Sequence, residues 1–217
     1  RQSASDAYLT PVLDRPNLHI VTDALVRRIV IDHKVATGVE YVSAGRVVTA
    51  KAKGEVILTA GAIGSPHLLL VSGVGPGDHL RDVGVDVVLD LPGVGANLHD
   101  HPMSTVVYSA AADLPVNPDN MLGQAIGLIE TERATDGPDV QLLLIAAPYR
   151  SPSLAGPDTG YAIGFSAMTP SSRGRVRLAG PDATTGPLID PNYLGTERDV
   201  DVMAAGLAIA RRIGEAD

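Results

Sequence analysis

Apolar and polar residues alternate in short runs over the first quarter of the chain, at 18–22, 26–32, 36–42 and 46–50. The last three runs are separated by Asp32-His33-Lys34 and by Ala44-Gly45. Period-two alternation bounded by such short turns is the signature of antiparallel hairpins, so a β-meander is predicted here. A fifth run, 55–59, reads Glu-Val-Ile-Leu-Thr and loses the alternation, which predicts a strand buried on both faces. Small residues then crowd from Ala60 to Gly64. Ser65 in an N-cap position, Pro66 in the first turn and the run His-Leu-Leu-Leu-Val-Ser predict a short helix closed by Gly73.

The rest of the pattern is less regular. A helical lead-in is predicted over 6–13, a second short helix over 77–84 and a strand over 85–92, followed by a glycine-rich loop at 93–102. Strand character resumes at 103–111. A brief helix around 121–129 and an acidic connector at 130–139 come next, and then strands over 140–148, 160–170 and 174–179. Residues 197–213 carry Val200, Met203, Ala204, Leu207, Ala210 and Ile213 at helical spacing, one apolar face of an amphipathic helix. Asp199 and Asp201 point to different sides of that helix, so both are expected in solvent and Asp199→Asn is expected to be nearly silent. The fold class expected is mixed α/β (α+β): a meander and a strand-turn-helix, then an antiparallel sheet.

Composition narrows the function classes. The 217 residues suffice for one large or two small domains. A formal charge of −8 disfavours a nucleic-acid backbone or an anionic membrane surface as partner. The absence of cysteine excludes disulfides, thiolate-bound zinc and thiol catalysis. No apolar stretch approaches the roughly 18 residues of a membrane span, and a cytoplasmic location is expected. The chain opens Arg-Gln-Ser without an initiator methionine and closes within a helical pattern, so a piece of a longer protein is expected.

The candidate chemistry starts at the bare turn. A strand, a small-residue turn and a helix N-terminus can aim backbone N–H groups at a phosphate or a ribose, and Gly61 between Ala60 and Ala62 permits close approach. The same residues also serve a plain packing corner. Gly-Ala-Ile-Gly, Gly-Val-Gly-Pro-Gly and Gly-Val-Gly-Ala-Asn all miss the GxGxxG spacing, so a self-contained dinucleotide fold is not expected, which counts against a nicotinamide enzyme. His99, Asp100 and His101 could ligate a metal but lack a third ligand nearby; a hydrogen-bonded loop is the other reading, and no metal is expected. GxSxG, HExxH and GxxxxGK[ST] are all missing. His19, His33, His67 and His79 stand isolated.

The stretch GAIGSPHLLLVSGVG resembles the second signature of the glucose-methanol-choline (GMC) oxidoreductases. The matching positions are Gly61, Ala62, Ser65, Pro66, Leu68, Leu69, Ser72, Gly73, Val74 and Gly75. RQSASDAYLTP, RPNLHIVTDALVRRIVID, HLRDVGVDVVLDLPGVGANLHDHP and GPLIDPNYLGTERDVDVMAAGLAIARRI are similar to segments of the same family in the same order, with 113–173 the least similar part. Choline dehydrogenase-like members are the nearest in pattern. The resemblance implies the central portion of a flavoprotein that oxidises a small-molecule alcohol by hydride transfer to FAD, with residues 1–102 in the FAD-binding domain and 103–217 in the substrate-binding domain. It implies that Val26 meets the adenine ring through its backbone and that Ala60 and Gly61 line the adenosine side. Asn97 to His101 match a loop near the boundary of the flavin and substrate regions. The family's catalytic His, with its His or Asn partner, is expected beyond Asp217, so the fragment alone is expected to be inactive. The identity of the electron acceptor is left open. The competing expectation is a non-catalytic remnant or binding module, since neither the pyrophosphate loop nor the histidine pair is in the sequence.

Overall fold

The structure is a computed structural model that describes residues 2–110 and 123–216. The chain forms two compact units, one of Arg1–Val94 with Leu178–Pro187 and one of Gly95–Arg177 with Leu188–Asp217.

The first unit opens with helical turns at Ser5–Leu9 and Thr10–Val12. Residues 18–22, expected as a strand, are irregular, with Leu18 half-buried and the rest exposed. The meander follows as β1 (Ala24–Asp32), β2 (Val35–Ser43) and β3 (Arg46–Lys51), antiparallel in that order. Both hairpins have two-residue loops: Asp32 pairs with Val35, and Ser43 with Arg46. His33, Lys34, Ala44 and Gly45 all have positive φ, the geometry that matches the right-handed twist of the strands.

Helix α1 (Gly61–Val71) packs on β1, and the amide of Ile29 donates to the Ser72 hydroxyl just past the helix end, at 2.9 Å. β4 (Val74–Gly75) and β5 (Leu89–Asp90) form a two-residue parallel pair, with α2 (Gly77–Asp82) between them in sequence. The strand expected over 85–92 thus shrinks to two residues. Leu70, Leu80 and Leu178 are completely enclosed, ringed by Val71, Val83, Val85, Val87 and Val94. Each such leucine contributes about 1.5–3 kcal/mol of burial free energy.

In the second unit β6 (Ala96–Leu98), β11 (Gly174–Arg177) and β12 (Leu188–Asp190) make a small sheet in the order β12-β11-β6. The larger sheet has β7 (Met103–Ser109), β8 (Gly123–Ile129), β9 (Val140–Ile145) and β10 (Gly160–Ala167) in the antiparallel order β7-β10-β9-β8. The helix expected at 121–129 is therefore strand β8 from residue 123, and residues 121–122 lie outside the described residues.

Helix α3 (Glu197–Gly214) covers one face of this sheet. Its packed side is Val202, Gly206 and Ala210 with Met203 and Leu207, set against Val140, Leu142, Ile163 and Phe165. Relative to the face expected from the sequence it is rotated: Val200, Ala204 and Ile213 are exposed. Gly206 explains the rotation, because a Cβ there would stand 3.2 Å from Phe165 and 3.4 Å from Val140, so helix and sheet meet through a bare backbone.

Candidate functional site

The strand expected at 55–59 has no ladder partner among the described residues. Val56 and Leu58 are half-buried while Ile57 is 74% exposed, so only one side of the segment is covered. Pairing in a sheet depends on a neighbour distant in sequence, which local pattern does not reveal.

Beyond this segment the chain turns at Ala60 (φ −83°, ψ 14°) and enters α1 through Gly61, whose φ is +77°. Only glycine takes that conformation at little cost. No heavy atom lies within 4 Å of where a Gly61 Cβ would stand, so the space over the turn is open among the described residues. No side chain caps the helix start. Its first N–H groups, unserved within the helix, are available to a polar ligand.

The helix begins five residues earlier than expected: Ser65 and Pro66 lie inside it, not at its start. Pro66 leaves the Ala62 carbonyl without its helical donor, at an exposed position where solvent can serve it.

Val26 is half-buried in β1, opposite Tyr41. The register slips between Val26 and Arg28, a β-bulge that leaves backbone groups outside the ladder beside Val26. Val26, Ala60 and Gly61 therefore belong to the same unit, on a strand and a helix that pack together. A cavity of about 350 Å³ in this unit lies at the opposite end of α1 from Gly61, where Ile29, Val71, Ser72, Gly73 and Asp86 line it.

The Asn97–His101 stretch is a hydrogen-bonded loop in the second unit. His99 Nδ1 lies 2.8 Å from the Asn97 carbonyl oxygen. The Asp100 carboxylate accepts from the Tyr193 hydroxyl and from the His101 amide, both at 2.8 Å. The Tyr193 bond, then the His101 amide, holds Asp100 below the usual carboxylate range, and the same carboxylate pushes the Tyr193 phenol up. Among the described residues no group of three or more acidic or histidine side chains is placed to hold a metal.

Asp199 contradicts its expectation outright. It is 1% exposed, and its carboxylate accepts from the backbone N–H and the hydroxyl of both Ser171 and Ser172. Three of these contacts are 2.8 Å, and the Ser172 hydroxyl approaches still closer. Burial would raise its pKa, but the serine hydrogen bonds outweigh burial and hold the group well below the ordinary carboxylate range. Its amide also donates to the N-cap side chain of Thr196 at 3.3 Å. Asp199 thereby pins the 171–172 loop to the start of α3. Asp139, likewise buried, accepts from the Thr131 amide and hydroxyl at 2.8 and 2.7 Å. A signal for Asp199 stood in the sequence, since Thr196-Glu-Arg-Asp199 has the spacing of a capping box.

Comparison with known proteins agrees with the signature. Family profiles described as GMC oxidoreductase match residues 1–103 with the N-terminal domain and 170–217 with the C-terminal domain. An uncharacterised GMC-type oxidoreductase of Mycobacterium tuberculosis is 37% identical over 237 aligned positions, covering 100% of this chain and 45% of the relative. The alcohol dehydrogenase [acceptor] of Pseudomonas putida is 32% identical, at 100% and 44% coverage, and the choline oxidase of Arthrobacter globiformis 35%, at 98% and 40%. The crystal structure of pyridoxine 4-oxidase from Mesorbium loti superposes with a TM-score of 0.91 at 34% identity, over 100% of this chain and 43% of that one. The chain spans less than half the length of these relatives.

Proposed function

We propose, on the premise that the chain belongs to the GMC oxidoreductase family, that it is the central portion of an FAD-dependent enzyme that oxidises an alcohol. The observation that carries this reading is the uncapped start of α1, with the left-handed Gly61 beneath open space. The described residues fit the adenosine end of FAD: Ala60 and Gly61 present bare backbone, and the bulge beside Val26 frees further backbone groups. The FAD-binding role falls to residues 1–102 and the substrate-binding role to 103–217, although 95–102 pack within the second unit and 178–187 within the first. Bound flavin would supply the two-electron acceptor for conversion of a CH–OH group to a carbonyl. The base that takes the hydroxyl proton is assigned to a segment outside these residues. In this reading the chain's own contribution is to hold the nucleotide end of the cofactor and to form a wall of the substrate space.

The test uses the intact parent protein. It should purify with flavin absorbance that bleaches anaerobically on addition of an alcohol. Gly61→Val should lower flavin occupancy at least several-fold, because valine is strained at positive φ and fills the open space. A folded, colourless parent, or full flavin occupancy in the variant, would overturn the assignment.

A further inference from the structure

His79 stands isolated in the sequence but not in the fold. It lies half-buried in α2, directly before the enclosed Leu80. Its Nε2 is 3.0 Å from the backbone nitrogen of Leu178, just past the end of β11. A backbone N–H only donates, so Nε2 is the acceptor and bears no hydrogen. The ring is therefore neutral, with its proton on Nδ1.

The bond sits where the chain returns to the first unit. Residues 178–187 fall in sequence between two stretches of the second unit, 95–177 and 188–217, yet pack within the first. Leu178 anchors this excursion by its side chain, which is 1% exposed and shares a core with Leu70 and Leu80. Its amide is held by His79. Farther along, Asp182 meets Arg27 of β1 at 3.6 Å, a solvent-accessible ion pair that salt screens.

These attachments differ in their response to acid. The burial of Leu178 does not titrate. The amide and hydroxyl of Thr184 hold the Asp182 carboxyl below the usual range, so it stays ionised well below neutrality. An imidazole changes charge between about pH 5 and 8. A proton on Nε2 turns the acceptor into a donor aimed at another donor and leaves the Leu178 N–H unpaired.

The charged groups on the surrounding elements are placed as follows. On α2, Asp78 pairs with Arg81 at 3.0 Å and Asp82 is exposed. Asp90 of β5 accepts from the Gly77 amide at 2.9 Å. β4, which packs on α2, carries no ionisable side chain, and the stretch 83–87 contributes the exposed Asp86. Arg177 precedes Leu178 on β11.

We infer that His79 is a proton-operated latch on residues 178–187: neutral, it fastens the excursion to the first unit, and protonated, it lets the excursion loosen. Pro181 of this excursion lines the cavity of about 350 Å³ together with Ile29, Val71 and Ser72, so loosening it also opens that cavity. The latch is independent of the flavin reading above.

Amide hydrogen exchange of the intact parent, at about pH 7.5 and about pH 5.5 and corrected for the intrinsic rate at each, reads the latch. Protection of 178–187 should fall at least about tenfold at the lower pH, with β9 and β10 little changed. His79→Gln retains an uncharged acceptor and should stay protected at both. His79→Leu, which has no acceptor, should be loosened at both. Nitrogen-15 NMR of the wild type at the higher pH should find the imidazole proton on Nδ1. Equal wild-type protection of 178–187 at the two pH values overturns the inference. So does equal loss across β9 and β10, a pH response that survives in His79→Gln, or an Nε2 protonated at the higher pH. The wild-type measurements decide the matter even where a variant fails to fold.

Discussion

Two aspartates two positions apart in α3 have opposite fates. Asp199 is enclosed and accepts four hydrogen bonds, whereas Asp201 meets Arg133 at 2.5 Å on the partly exposed side of the helix. Asp199→Asn leaves serine donors facing an amide that is itself a donor, and should destabilise the fold by about 3 kcal/mol. Asp201→Asn should cost within about 1 kcal/mol, as exposed ion pairs do. Urea unfolding of the two variants separates them, and equal losses would contradict the burial. Because the folded pKa of Asp199 is depressed, its contribution is fully present above the unfolded value of about 4 and is lost as pH falls toward the folded one. The wild-type protein should therefore lose stability below about pH 4, and Asp199→Asn should flatten that acid limb.

At the scale of elements, the hairpin loops carry a correctable strain. His33 and Lys34 sit at φ of 46° and 65°, a region that favours Asn and Gly. Replacing the pair by Asn-Gly should raise stability by about 1 kcal/mol, read as a higher melting temperature with β1 and β2 unchanged. These hairpins were legible in the sequence because turn chemistry and alternation are local. The β8 strand was not: Gly-Gln-Ala-Ile-Gly-Leu-Ile has no strong strand pattern, and it is strand because it pairs with β9 from Gly123 to Ile129. The helix α3 was legible in extent but not in orientation. A buried carboxylate at 199 and a glycine at 206 mark its packed side, and neither counts as apolar in a periodicity. Of the proposed cofactor turn, the glycine and its flanking alanines were visible, while the open space above them and the bulge beside Val26 are properties of backbone conformation.

For the whole molecule, the described residues form two clusters of buried apolar side chains, one around Leu70, Leu80 and Leu178 and one around Val140, Phe165 and Val202. No helix among the described residues is long and apolar enough to cross a membrane. If the intact parent holds FAD against the α1 start, removing the flavin should destabilise the first unit by mass action, by about 3 kcal/mol at a hundredfold excess of cofactor over Kd. Hydrogen exchange should then quicken around 55–64 while the amides of β9 and β10 stay protected. Uniform quickening across both cores would argue against a nucleotide seated at Gly61.

The segment at 55–59 gives the polypeptide an unfinished edge. With Ile57 in solvent and no ladder partner among the described residues, it offers a docking rail for any extended chain. These 217 residues should therefore self-associate as concentration rises, read as a growing mass in light scattering, and a charge placed at Ile57 should suppress it.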